Sequence, residues 1–144
     1  VVTTGAGQST CRVDFTGNDL ERVPRHSFVG IANYTDRLTA TSNWFAEIQT
    51  TFRDERFSNQ GNLLRFDSYW LTDLRLGVAS GNWEIIAYVD NLFDDDTIRD
   101  GFNTGGYIND FSLAGATFVL PDSAQFYLPP PRAFGVRASY SFGR

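Results

Sequence analysis

The stretch that decides the fold runs from Pro131 to Phe142 and reads PRAFGVRASYSF. Its even-numbered positions are apolar or aromatic from Phe134 onward, whereas its odd-numbered positions from Ala133 to Ser141 are small or charged. Since successive side chains of a β-strand point to opposite faces, this alternation predicts a strand with one apolar face. That face would meet either a second protein layer or lipid, because strands of outer-membrane barrels are also about 10 residues long and alternate in the same way.

The composition limits the classes of function. The 144 residues carry a formal net charge of −5, so we expect no basic surface that collects phosphates and no nucleic acid as a partner. No run approaches the roughly 18 apolar residues that indicate a membrane-spanning helix. This criterion does not detect the strands of a membrane barrel, because half of the residues in each strand are polar.

Alternation and turn residues predict about five antiparallel strands. They cover residues 27–34, residues 44–53, a run through Leu74, Leu76 and Val78, Trp83–Asp90 and the last stretch. In the first strand Phe28 and Tyr34 favour one face and Val29 favours the other with Ile31, so its alternation is poor. The predicted connections are residues 1–26, 36–43, 54–68, 81–82 and 91–131, with a short hairpin arm at 111–120.

The third and fourth strands predict their own register. Gly81-Asn82 between two alternating runs indicates a two-residue type II′ hairpin, because Gly occupies the first central position. The expected pairs are Ser80 with Trp83, Val78 with Ile85, Leu76 with Ala87 and Leu74 with Val89. This register places all the apolar side chains on one face. It also sets Asp73 opposite Asp90, a repulsion that we expect Arg75 or Arg137 to relieve.

Short and long connections alternate along the chain. This asymmetry is typical of outer-membrane barrels, which have tight periplasmic turns and long extracellular loops, and it predicts that the last strand ends at the periplasm. Five strands cannot close such a barrel, since the smallest bacterial ones have about eight. We therefore expect the chain to be part of a larger barrel. The absence of Met and of a signal peptide also favours a fragment or a mature piece.

Several segments resemble a known family. The sequence VDNLFD at residues 89–94 ends the strand that begins at Trp83. Pro131 and Arg132 open the last strand, which ends in the aromatic Phe142. This pattern, with Asn91, Leu92, Phe93 and Asp94 at its centre, is similar to the carboxyl end of TonB-dependent outer-membrane receptors. Residues 17–20 and 23–27 resemble the loop-to-strand entry that precedes the last strands in that family.

The resemblance implies an all-β barrel of about 22 strands with a plugged lumen. Residues 1–144 would supply its carboxyl-terminal strands, without the amino-terminal plug domain. The implied function is a receptor in the outer membrane of a Gram-negative bacterium that takes up a scarce small molecule, such as a siderophore–iron complex, vitamin B12 or an oligosaccharide. The implied partners are outer-membrane lipid, the missing plug and strands, and the inner-membrane TonB complex. Gly143 and Arg144 extend past the usual terminal aromatic.

Two sets of residues are candidates for the transport pathway. The polar side chains of the strands would line the lumen: Glu47, Gln49, Arg53, Arg75, Glu84, Asp90 and Arg137. The loop from Phe93 to Leu128 is the best candidate for ligand contact, with Tyr107, Phe111 and Phe126 as aromatic surface. Aromatic residues near the predicted periplasmic strand ends, namely Trp44, Trp83, Tyr140 and Phe142, are predicted to form an interfacial girdle.

Catalysis has little to draw on in this sequence. The chain has one His and one Cys, with no zinc-binding spacing and no phosphate-binding Gly-rich loop, so we predict no enzyme, no cofactor and no metal site. The run of aspartates at 94–96 is interpreted as a solvated loop rather than a cation site. Cys11 is either a free thiol or half of a disulfide with an upstream partner. The alternative to a transporter is a soluble, secreted or periplasmic β-sheet ligand-binding module, and an enzyme is the least favoured.

Overall fold

The fold is described from a computed structural model. The structure describes residues 2–4, 8–10, 14–104, 110–113, 116–119 and 123–142, and the side chains within 14–102 and 124–142. The described ranges contain β-strands and no helix. The strands are β1 (Val2–Thr4), β2 (Gln8–Thr10), β3 (Ser27–Arg37), β4 (Ser42–Arg53), β5 (Arg56–Phe57), β6 (Arg65–Phe66), β7 (Tyr69–Ser80), β8 (Trp83–Asp90), β9 (Asp100–Thr104), β10 (Asp110–Leu113), β11 (Ala116–Val119), β12 (Ser123–Tyr127) and β13 (Ala133–Tyr140).

The five long strands form one antiparallel sheet in the order β13-β8-β7-β4-β3. These are the five strands that alternation predicts, so the all-β antiparallel prediction is confirmed. Tight turns at residues 38–41 and 81–82 lie at one end of the sheet, which we call the short-turn end. Residues 14–26, 54–68 and 91–132 emerge at the opposite end, which we call the long-loop end.

The predicted register of β7 and β8 is confirmed pair by pair from Leu74↔Val89 to Ser80↔Trp83. Gly81 has φ +59, as the first central position of a type II′ turn requires. The expected relief of Asp73 differs from the structure. Arg75 pairs with Glu47 at 2.8 Å, and the Asp73 carboxylate instead accepts a hydrogen bond from the Asn91 N–H at 2.9 Å.

The register gives the sheet two unlike faces. One face, which we call the apolar face, carries rows such as Ala32, Ile48, Leu74, Val89 and Phe134 across the five strands. Leu76, Ile85 and Val136 on this face are 47%, 49% and 72% exposed, so no second layer of the described chain covers them. Among the described side chains Phe66, in β6, is the only buried hydrophobic one. The sheet therefore has no core of its own.

Aromatic side chains lie at both ends of the apolar face. Trp83 and Tyr140 stack at 4.8 Å at the short-turn end, and Tyr140 meets Phe142 edge-on at 4.8 Å. Phe52 and Trp70 stack at 4.8 Å toward the long-loop end. The two rows are about ten residues apart along β7, which at a strand tilt of about 40° spans roughly 25 Å, the height of the apolar band of a membrane barrel.

The predicted connections contain more regular structure than expected. The prediction of a loop throughout residues 1–26 is wrong, because β1 pairs with β2. The 54–68 connection contains the β5–β6 ladder, and within 91–132 β9 pairs with β12. The hairpin predicted at 111–120 is confirmed by the pairing of β10 with β11. The described residues include no helix that is long and apolar enough to cross a membrane.

Candidate functional site: the polar face and the long-loop end

The polar side chains predicted to line a lumen all lie on the second face of the sheet, which we call the polar face. The register sets Glu47 against Arg75, Gln49 against Asp73, and Glu84 against Ser139. Only part of the set is in contact: Arg75 forms an ion pair with Glu47, and the Ser139 hydroxyl donates to Glu84 Oε2 at 3.3 Å. The remaining members, Gln49, Arg53, Asp90 and Arg137, lie at separate positions along the same face.

Two aromatic rings on the polar face lie flat over glycines, which sequence reasoning missed. A Cβ at Gly77 would overlap the ring of Phe45 on the neighbouring strand. A Cβ at Gly135 would lie 2.5 Å from the Tyr88 hydroxyl oxygen. A glycine paired with an aromatic across two strands is the sequence signal for such a contact. Each ring therefore covers the glycine that faces it.

The family-motif residues form a clamp at the base of the longest connection. Asn91 is buried, with 4% of the residue exposed. Its amide donates to the carbonyls of Asp95 at 3.0 Å and Pro130 at 3.3 Å, and its oxygen accepts the Asp95 N–H at 2.9 Å. The bond to Pro130 joins positions 39 residues apart. Asn91 therefore ties the two ends of this connection together.

The rest of the motif completes the clamp. Asp94 Oδ1 accepts the Arg132 N–H at 2.9 Å, and the Arg132 guanidinium reaches the Leu92 carbonyl at 3.5 Å. The Leu92 N–H donates to the Thr72 carbonyl at 2.7 Å, which anchors the clamp to β7. Phe93 is 73% exposed. We call Asn91, Leu92, Asp94 and Arg132 the loop-base clamp.

The leading loop is joined to the 54–68 connection. The Asn18 side chain donates to the Gln60 carbonyl at 2.8 Å, and the Arg22 N–H donates to the Phe57 carbonyl at 2.7 Å. At the strand ends His26 Nδ1 lies 3.0 Å from Asp54 Oδ2. This hydrogen bond, with help from the Glu55 N–H, lowers the pKa of Asp54 from its ordinary value. The two connections thus form one hydrogen-bonded unit at the long-loop end.

Two arginines join the 54–69 segment to the start of β9. The Arg99 guanidinium lies 4.8 Å from the centre of the Tyr69 ring and donates to the Asp95 carbonyl at 3.1 Å. Arg56 donates to the Arg99 carbonyl and stacks 5.8 Å from the Phe66 ring. Cation–aromatic contacts of this kind are stabilising, and more so when partly desolvated. Loops that are distant in sequence are therefore packed together.

Only some of the predicted ligand-contact residues lie within the described part of the chain. Phe126 lies on β12 opposite Gly101 and is 46% exposed. Phe111 lies on β10, paired with Phe118, and its side chain lies outside the described residues. Tyr107, Cys11, Gly143 and Arg144 also lie outside the described residues.

Two carboxylates of the aspartate run at 94–96 accept hydrogen bonds from nearby backbone N–H groups. Asp94 accepts the Arg132 N–H, and Asp95 accepts the Thr97 N–H at 3.1 Å. Within the described part of the chain, no three His, Cys, Asp or Glu side chains are grouped as a metal site would need. The arrangement can present a surface to a ligand.

A sheet with an uncovered apolar face between two aromatic rows belongs to the class of membrane barrel walls. The family model described as "TonB dependent receptor-like, beta-barrel" matches residues 4–92, more than half of the chain. The chain therefore belongs to this family of outer-membrane receptors. The match ends inside the motif at Leu92. Neither a curated protein nor a solved structure matches the chain.

Proposed function

We propose that the chain forms the carboxyl-terminal wall of a TonB-dependent receptor that imports a scarce ligand across the outer membrane of a Gram-negative bacterium. The apolar face is the observation that carries this proposal. Leu76 and Val136, halfway along their strands, are 47% and 72% exposed. Such exposure is expected of apolar side chains that contact lipid. A soluble module would leave this surface in water, where an apolar patch of such size favours association.

The free edges of the sheet support a larger barrel. β3 and β13 each have one neighbour among the described strands. Unpaired backbone groups at such an edge would each cost several kcal/mol in lipid, so both edges need partner strands. Since β3 and β13 run in the same direction, an odd number of further strands is needed for antiparallel closure. A barrel of about 22 strands meets this condition.

In this proposal the polar face lines the lumen. Its ion pair between Glu47 and Arg75, together with Gln49, Arg53, Glu84, Asp90 and Arg137, would face water or the plug domain that other parts of the receptor supply. Phe45 over Gly77 and Tyr88 over Gly135 would offer aromatic surface to a packed occupant. Charges on this face avoid the cost of about 2–4 kcal/mol that an Arg would have at the lipid midplane.

The long-loop end would face the outside of the cell. Ligand contact is proposed for the connection from Phe93 to Leu128, with Tyr107, Phe111 and Phe126 as aromatic surface. The ligand class is a siderophore–iron complex, vitamin B12 or an oligosaccharide. Energy for import would come from the inner-membrane TonB complex through a region outside residues 1–144.

The experiment begins with the full-length protein from which the chain derives. We expect it to fractionate with outer membranes, to need detergent for solubility and to show heat-modifiable mobility. A deletion strain should lose growth or uptake with one of the three ligand classes, and loss of the TonB complex should give the same phenotype. A full-length protein that remains monodisperse in buffer without detergent would contradict the proposal and favour the soluble binding module.

A further inference from the structure

The loop-base clamp joins the sheet to both ends of the longest connection. The connection it closes contains the β9–β12 and β10–β11 ladders. We call its described residues next to the clamp, 95–104 and 123–130, the arm. Asn91 bonds the first residue of the arm, Asp95, and the last, Pro130, with one buried amide. Its own N–H is held by Asp73 of β7. The same residue therefore contacts the sheet and both ends of the arm.

The backbone conformation makes this residue hard to replace. Asn91 has φ +54, in the left-handed region that Asn and Gly adopt more readily than other residues. Its amide is both donor and acceptor here, giving two hydrogen bonds and accepting one. Asp94 has φ +57, but its side chain acts only as an acceptor for the Arg132 N–H. The two motif positions thus have different chemical requirements.

Arg99 provides a second attachment of the arm, away from the clamp. Arg99 lies on the Tyr69 ring at 4.8 Å, and its carbonyl accepts a bond from Arg56. Tyr69 begins β7 and Arg56 lies in β5, so this contact fixes the arm to a different part of the long-loop end. A body attached at two separate points keeps its direction, whereas one attached at a single point can swing.

We propose that Asn91 is a positioning residue: its buried amide, with Arg99 as the second anchor, fixes the direction of the arm relative to the sheet. The arm is then presented as a rigid element rather than as a flexible loop. This mechanical role is independent of transport. Only its use in holding Phe126 toward a ligand rests on the proposed function.

Three substitutions separate the contributions. Asn91→Gly keeps the left-handed backbone free of strain and removes only the side-chain bonds. Asn91→Asp keeps an acceptor for the Asp95 N–H but sets a carboxylate oxygen against the carbonyls of Asp95 and Pro130. Asp94→Asn keeps the acceptor that Arg132 needs, and Asn tolerates the same φ. The proposal requires the first two to free the arm and the third to leave it fixed.

Asn62→Gly is the matched control. Asn62 has the same φ of 54, and with its amide oriented toward its partners its oxygen accepts the Asp19 N–H at 2.8 Å. It joins the leading loop to the 54–68 connection, and its hydrogen-bond partners, Asp19 and Asn59, lie outside the arm. Its loss should loosen residues 14–26 and leave residues 95–102 unchanged.

Hydrogen exchange of the full-length protein in detergent micelles provides the measurement, and it needs no ligand. In Asn91→Gly and Asn91→Asp, peptides from 95–104 and 123–130 should exchange roughly tenfold faster, with β4 and β7 unchanged. Asp94→Asn should exchange like the unsubstituted protein. The proposal is overturned if Asn91→Gly leaves arm exchange within about twofold, if Asp94→Asn frees the arm equally, or if exchange rises across the whole sheet. A protein that fails to import any ligand but gives these exchange results would contradict only the proposed function.

Discussion

The apolar and polar faces of the sheet share the same strands, hydrogen bonds and twist, and differ only in which alternate residues they present. On the apolar face the aliphatic side chains between the two aromatic rows are exposed, as Ile85 and Val136 illustrate. On the polar face they pair with one another, as Glu47 and Arg75 do at 2.8 Å. Alternate residues of one backbone therefore suit two different environments, an apolar one on one side of the sheet and a polar one on the other.

The largest expected effect comes from a charge placed on the apolar face. Leu76→Arg should destabilise the full-length protein in vesicles by about 2–4 kcal/mol, the cost of an Arg near the bilayer midplane. Leu71→Arg on the polar face of the same strand is the control and should cost less than about 1 kcal/mol, since lumen substitutions are tolerated. Urea unfolding in vesicles measures both. Equal costs would contradict the assignment of the faces.

Next in size is a branched side chain at the centre of the polar face. Gly77→Val should push the Phe45 ring out of place and cost about 1–3 kcal/mol, because there is no room for a Cβ under the ring. Ala79→Val, one row away on the same face, should cost less. The same unfolding assay compares them. If the two variants were equally stable, the flat contact of Phe45 on Gly77 would not hold in solution.

Aromatic stacking at the short-turn end should contribute less. Trp83→Ala removes the contact with Tyr140 at 4.8 Å and should cost about 0.5–1.5 kcal/mol beyond the area it exposes. Trp83→Phe keeps a ring at the membrane interface and should recover most of that loss. A loss in Trp83→Phe as large as in Trp83→Ala would show that ring stacking is not the cause.

A smaller effect is expected from the ion pair on the polar face. Arg75 and Glu47 are 42% and 29% exposed, so the desolvation that strengthens a pair is incomplete. A double-mutant cycle with Arg75→Ala and Glu47→Ala should give a coupling of about 0.2–1 kcal/mol that decreases with salt. A coupling well above that range would mean that the polar face is dry rather than wet.

The smallest effect concerns pH at the long-loop end. The hydrogen bond from His26 keeps the pKa of Asp54 below its ordinary value of 3.8, so the ionised carboxylate stabilises the folded loops. That contribution is present above the ordinary pKa and is lost as the pH falls through the lowered one. Exchange of residues 14–26, corrected for intrinsic rates, should therefore rise below about pH 4. In Asp54→Asn this pH dependence should be absent, and its persistence would point to another group.

Much of the sheet was predictable because alternation reports the face of each residue directly. The Gly81-Asn82 turn fixed the register of β7 and β8, and the apolar pairs followed. β3 alternates poorly because Val29 and Ile31 lie on the polar face beside Thr51 and Gln49. In such a strand the face of each residue is determined by pairing with the neighbouring strand rather than by the strand's own alternation.

The long-loop end was less predictable, for a physical reason. The long-range clamp bonds, from Asn91 to Pro130 and from Arg132 to Asp94 and Leu92, join residues 38 to 40 positions apart, and no local pattern encodes such contacts. The stacking of Arg99 on Tyr69 likewise depends on how two loops meet. The resemblance drew attention to the motif residues, but only the structure shows that Asn91 is buried and bonded to both ends of the arm.

The central claim is that lipid covers the apolar face. The most direct test attaches a nitroxide label to one position of β8 at a time, in the full-length protein reconstituted in vesicles. Collisions with oxygen, which concentrates in the hydrocarbon, should be high at positions 85, 87 and 89 and low at 84, 86 and 88. Low oxygen accessibility throughout β8, or high collision rates with a water-soluble nickel complex at 85 and 87, would contradict the account.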